Sequence, residues 1–116
     1  MKKHLAIITT LLLVVAASAI AQTTVQITSP PDGSRISSKE VEVGILFSTT
    51  DPVPARFDFI AYDNGTMWTY GFIQLVVVQE MSFTIPYQTK VRGAHVLELV
   101  FYNGVESVTN SITVFR

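Results

Sequence analysis

The sequence predicts an all-β fold, an antiparallel two-sheet β-sandwich of seven to eight short strands. Three observations carry that expectation. Past residue 21, apolar residues recur at every second position in one segment after another, which is the period of a half-buried strand. Clusters of Pro, Gly, Asn and Asp separate those segments at regular intervals. No window outside the N-terminal stretch shows a helical period, and neither an internal repeat nor a low-complexity tail is present.

Taken in order, Thr24 to Ser29 alternates with Val25 and Ile27 on one face, and Ser29-Pro30-Pro31-Asp32-Gly33 breaks it because proline cannot donate to a ladder. Glu40 to Ser48 places Val41, Val43, Ile45 and Phe47 inward and Glu40, Glu42 and Ser48 outward. After the proline-punctuated connection Thr49 to Pro54, Ala55 to Tyr62 puts Phe57, Phe59 and Ala61 on one side and Arg56 and Asp58 on the other. Asp63-Asn64-Gly65 then supplies residues that tolerate positive φ, a strong hairpin signal.

Thr66 to Gln79 is read as two short strands with a bend or bulge near Gly71 or Gln74: Trp68, Tyr70 and Phe72 alternate before a continuous apolar block, Leu75 to Val78. Met81 to Ile85 alternates again and stops at Pro86. His95 to Phe101 and Ser107 to Phe115 form two long strands joined by a turn at Asn103-Gly104.

The N-terminus has a different character. Lys2-Lys3, the uncharged apolar run Leu5 to Ala17 and the small-residue stretch Ser18-Ala19-Ile20-Ala21 make up a signal peptide, residues 1–21, cleaved after Ala21. A transmembrane anchor is the alternative, but the run is shorter than the roughly 20 residues a bilayer span needs. The expected product is a secreted or periplasmic domain of residues 22–116, with no membrane span after the signal is removed.

Losing Lys2 and Lys3 leaves 6 basic against 9 acidic residues, a net charge of −3, which disfavours a nucleic-acid partner. The chain contains no cysteine, so disulfides, thiolate metal sites, a lipobox-type lipid anchor and a cysteine nucleophile are excluded. A domain of this size must then hold together by core burial alone.

The opening Val25-Gln26-Ile27-Thr28-Ser29-Pro30-Pro31-Asp32-Gly33 resembles the "V-x-I-x-x-P-x-x-G" start of bacterial immunoglobulin-like (Big-type) domains of secreted and surface proteins. Val41-Glu42-Val43, Phe59 followed by Asp63-Asn64-Gly65, and Gly93-Ala94-His95-Val96-Leu97-Glu98-Leu99 are similar to later motifs of those modules. The resemblance implies an immunoglobulin-like antiparallel sandwich and a non-catalytic role. Such modules usually occur as beads in longer proteins, whereas this chain is expected to hold one domain that starts just before its first strand and ends just past its last.

His95 is the chemical group that most invites a functional assignment. Counted by twos it shares a face with Leu97, Leu99 and Phe101, so it heads the core-facing row directly after Gly93. The expectation is a structural corner formed by Gly93 and His95, comparable to the immunoglobulin tyrosine corner, in which a buried polar ring satisfies a backbone group. A metal reading needs more ligands, and the only other histidine, His4, leaves with the signal. A catalytic reading needs a partner that the sequence does not place.

Trp68, Tyr70 and Phe72 are the candidate ligand-binding aromatics if they lie on an exposed face; the alternative, favoured on general grounds, is that they cover the core. Asp51, Asp58, Asp63 and Asn64 could in principle gather around calcium, yet their spacing matches no calcium loop. Asn64-Gly65-Thr66 fits a glycosylation sequon, a pattern common by chance.

No cofactor is implied. Of three hypotheses, the first is a secreted or periplasmic module binding a protein or carbohydrate of unknown identity. The second is a structural subunit of an extracellular assembly that self-associates by edge-strand addition, motivated by Leu75 to Val78. An enzyme is the third and is set aside for want of a nucleophile with its base, a phosphate loop or a metal set.

Overall fold

The computed structural model describes residues 22–116. The expected signal peptide, residues 1–21, lies outside them.

Seven strands form: β1 Thr23–Ser29, β2 Val41–Thr49, β3 Ala55–Asp63, β4 Thr66–Leu75, β5 Glu80–Tyr87, β6 Ala94–Tyr102 and β7 Ser107–Phe115. They make two antiparallel sheets, one ordered β1-β2-β5 and one ordered β4-β3-β6-β7. The sandwich expected from alternation is the fold observed.

The inward rows fill the space between the sheets. Val43, Ile45 and Phe47 of β2, Phe57, Phe59 and Ala61 of β3, and Leu97, Leu99 and Phe101 of β6 are all buried. Phe101 is the hub, with ring centroids 5.0 Å from Phe47, 5.3 Å from Phe59 and 6.2 Å from Phe83, and Phe47 in turn lies 4.8 Å from Phe57. Tilted aromatic pairs at such distances add about 0.5–1.5 kcal/mol beyond their area burial, so this cluster helps fix the spacing of the sheets.

Turn chemistry closes the hairpins. Asn64 and Gly65 adopt φ of 50° and 83°, the left-handed pair that matches the strand twist of β3 and β4. In the β6–β7 turn the Asn103 side-chain oxygen accepts from the backbone amides of Val105 and Glu106, each at 2.9 Å.

The region from Thr66 to Gln79 departs from the expected pair of short strands. It holds one strand, β4, and its irregularity falls at Trp68 instead of Gly71 or Gln74: Ala61 pairs with Thr69 and Tyr62 with Met67, so Trp68 is the extra residue of a bulge. Gly71 is regular and faces inward, where a Cβ would lie 3.0 Å from the Phe59 ring. Of the apolar block, only Leu75 belongs to a strand; Val76, Val77 and Val78 are exposed in the connection to β5. The block is therefore not the hydrophobic edge it was expected to be.

Candidate functional site

The structure divides the sequence-derived candidates between two regions. One is a polar knot at the end of the sandwich where β3, β5 and β6 meet. The other is the outer face of the four-stranded sheet.

Asp63, His95 and Tyr87 form the knot. His95, 3% exposed, directs Nδ1 to Asp63 Oδ1 at 2.8 Å and Nε2 to the Val91 carbonyl at 2.7 Å. The Tyr87 hydroxyl donates to the other Asp63 oxygen at 2.7 Å. A carbonyl can only accept, so Nε2 carries a proton; facing a carboxylate as well, Nδ1 is best satisfied when it is also protonated.

Burial alone pushes the His95 pKa down, but the Asp63 hydrogen bond, the Val91 carbonyl and the Asp63 charge together outweigh it and raise it above the ordinary histidine value. Burial is also the main reason the Tyr87 hydroxyl is held well above the usual tyrosine range, with the Asp63 carboxylate adding to the effect.

Gly93 shapes the entry to β6. Its φ of 115° suits only glycine, and it exchanges two 3.0 Å backbone bonds with Arg116, which turns the chain into β6. Asn64 clamps the same corner: its amide donates to the Ala94 carbonyl at 3.1 Å and its oxygen accepts from Val96 N at 2.8 Å. The sequon asparagine is thus committed to β6. With both ring nitrogens engaged, His95 is built as a strut rather than as a free base, beside a cleft of about 300 Å³ lined in part by Trp68, Met67 and Thr89.

The bulge separates the three aromatics. Trp68 lands on the core side, half-buried, with its ring against Tyr87 at 4.8 Å and its indole N–H on the Pro86 carbonyl at 3.1 Å. Tyr70 and Phe72 point outward and are 72% and 55% exposed, so the expectation that these rings cover the core fails for both. A one-residue insertion reverses the facing of everything beyond it, and this is why a simple count by twos places the three together.

On that outer face Tyr70 stands beside Ile60 and then Val100, Phe72 beside Asp58 and then Tyr102, and Met67 beside Tyr62 and then Glu98. Arg56 bonds Asp58 at 3.2 Å and lays its guanidinium 4.1 Å over the Phe72 ring. The β7 side of the face is polar, carrying Ser107, Thr109, Ser111 and Thr113. Apolar character therefore rises from β7 towards β4. Ile60, Tyr62, Val96, Val100 and Tyr102 were not singled out from sequence, yet the signal was there: outward positions of a sheet with one wet face do not need such residues.

The four groups considered for calcium are scattered. Asp58 pairs with Arg56, while Asp63 and Asn64 serve the knot. Asp51 lies at the opposite end, near Asn103 and Glu106, and its carboxyl is raised above the usual range by desolvation first and the Glu106 charge second. Among the described residues no group of three or more His, Asp or Glu side chains is placed to hold a metal ion.

No protein-family model matches the chain. No curated protein matches it either. Solved structures do. The chain is similar to the crystal structure of the CARDB domain of the PF1109 protein from Pyrococcus furiosus, in complex with di-metal ions, at 15% identity and a TM-score of 0.56, over 82% of this chain and 92% of that one.

The solution structure of the same Pyrococcus furiosus domain aligns at 16% identity and a TM-score of 0.57, over 83% and 96%. CARDB domains are immunoglobulin-like β-sandwiches, so the immunoglobulin-like fold is shown. The Big-type resemblance holds at that coarser level, that of an immunoglobulin-like fold.

Proposed function

We propose that the chain is a secreted or periplasmic interaction module that holds a protein partner on the outer face of its four-stranded sheet. The observation that carries this reading is the exposure of Tyr70, Phe72 and Met67 in one apolar stripe on a domain whose core is already complete. Rings that the interior does not need are free to meet a partner, and aromatic residues dominate the centres of protein interfaces.

A carbohydrate partner fits less well. Stacking on a sugar needs an open ring, and one face of Phe72 is occupied by Arg56. Export rests on the leader, with its lysines, apolar run and small-residue cleavage stretch.

Oxidative footprinting tests the reading. Tyr70, Phe72 and Met67 are expected to label several-fold more slowly in the native extracellular or periplasmic milieu than in dilute purified protein, with Val105 at a turn as the unchanged control. Equal labelling in both settings would remove the interaction role.

A further inference from the structure

Sheet edges expose unpaired backbone donors and acceptors, and three of the four edges here carry a contact or a proline that blocks part of their length. Along β7 runs the segment 32–36: Gly33 N donates to the Thr113 carbonyl at 2.6 Å, Ile36 N to that of Phe115 at 2.8 Å, and Phe115 N to that of Ser34 at 2.9 Å. The β5 edge carries Pro86, which has no N–H, and its carbonyl is taken by Trp68. On β1, the amide of Ile27 is capped by the side chain of Asn110 at 3.0 Å, beside a register shift.

The β4 edge is interrupted only by its bulge at Trp68. Apart from the ladder with β3, no backbone hydrogen bond from another described segment reaches Thr66–Leu75. The strand TMWTYGFIQL has no charge and no proline, and beyond its bulge Thr69 to Leu75 pairs with β3 in unbroken register. It is also the strand towards which the outer face becomes apolar. A long, uncharged, regular edge is a template for another strand.

We infer that the occupant is a second copy of this chain, its β4 pairing antiparallel with the first across a twofold axis at Gly71 to make a continuous eight-stranded sheet. The inference rests on the interaction reading above and names its partner. An antiparallel twofold pairs a strand with itself, and because β4 is uncharged no like charges meet across the axis.

Centring on Gly71 sets Tyr70 of one copy opposite Phe72 of the other, twice, so that the exposed rings pair with each other on the outer face. Nine residues, Met67 to Leu75, at about 3.4 Å each and a sandwich roughly 10–15 Å deep give an edge of about 300–450 Å² per copy. That is below the roughly 800 Å² per partner of a standard interface. The dimer is accordingly a weak one that forms with rising concentration.

Sedimentation equilibrium from roughly 1 to 500 µM tests this, with protein purified from cells that export the full chain. The wild type is expected to pass from monomer to dimer. Tyr70→Lys/Phe72→Lys, which sets lysines opposite lysines, weakens the dimer at least tenfold; Tyr70→Lys/Phe72→Glu, which sets lysine opposite glutamate, retains it. All three should have the same far-ultraviolet circular dichroism, and single Tyr70→Lys serves if a double variant fails to fold.

A wild type that stays monomeric throughout overturns the inference, as does a folded double-lysine variant that dimerises like the wild type. Loss of dimer in folded Tyr70→Lys/Phe72→Glu overturns pairing centred on Gly71. A monomeric wild type whose Tyr70 is still protected in its native milieu overturns the second copy and leaves the interaction reading standing. Absence of both dimer and protection removes the two together.

Discussion

The knot at Asp63, His95 and Tyr87 and the outer face at Tyr70 and Phe72 are opposites. In the knot, polar groups sit at a buried end of the sandwich and every one of them has its partner. On the face, apolar groups sit in solvent without one. Polar groups that the interior must satisfy report on architecture, whereas apolar groups that the interior does not use report on something outside the chain. The histidine, the most chemically reactive group of the folded domain, therefore belongs to the scaffold, whereas the proposed interaction surface is built from rings that the core does not use.

Breaking the knot should have the largest effect. His95→Ala leaves Asp63 with one partner fewer and opens a cavity beside Tyr87, at a cost of about 2–4 kcal/mol in urea unfolding. Asp63→Ala should be comparable, because it strands both the imidazole and the hydroxyl. A cost below about 1 kcal/mol for either would mean that the knot is not a strut.

A steric change on the inner side of β4 comes next. Gly71→Val drives a side chain into the Phe59 ring, which a Cβ already meets at 3.0 Å, and should cost about 1–3 kcal/mol by thermal unfolding. Together with an unperturbed Phe72→Ser, that result would show that the two faces of this strand do different jobs.

The knot should also be sensitive to pH. His95 has a raised pKa in the folded state, so the stability it contributes is complete below the unfolded value of about 6.5 and is lost as pH rises through the folded value. Thermal midpoints are expected to fall from pH 6 towards pH 9, and the fall should shrink in His95→Gln. An equal fall in both proteins would place the titration elsewhere.

Sequence periodicity made much of this molecule legible. The inward rows of β2, β3 and β6 followed from counting by twos, and so did the core-facing place of His95, because strands without irregularity keep their phase. The region from Trp68 to Val78 did not, since one inserted residue reverses the facing and nothing in local composition marks where it falls. The partners of His95 were out of reach for a different reason: Asp63 lies thirty-two positions away and already had a local explanation as part of a turn. The outer face needed the order β4-β3-β6-β7, which brings Tyr70, Ile60 and Val100 side by side from three separate segments.

Smaller effects sharpen the contrast. Asp58→Ala removes an exposed ion pair with Arg56 and should cost well under 1 kcal/mol, far less than His95→Ala.

The most direct test of the central claim is the urea unfolding free energy of Tyr70→Ser/Phe72→Ser, measured at low concentration where no association contributes. If the two rings serve a partner and not the monomer, the variant lies within about 0.5 kcal/mol of the wild type. A loss of about 3 kcal/mol or more would show that the rings hold the domain together and would contradict the assignment of the outer face to binding.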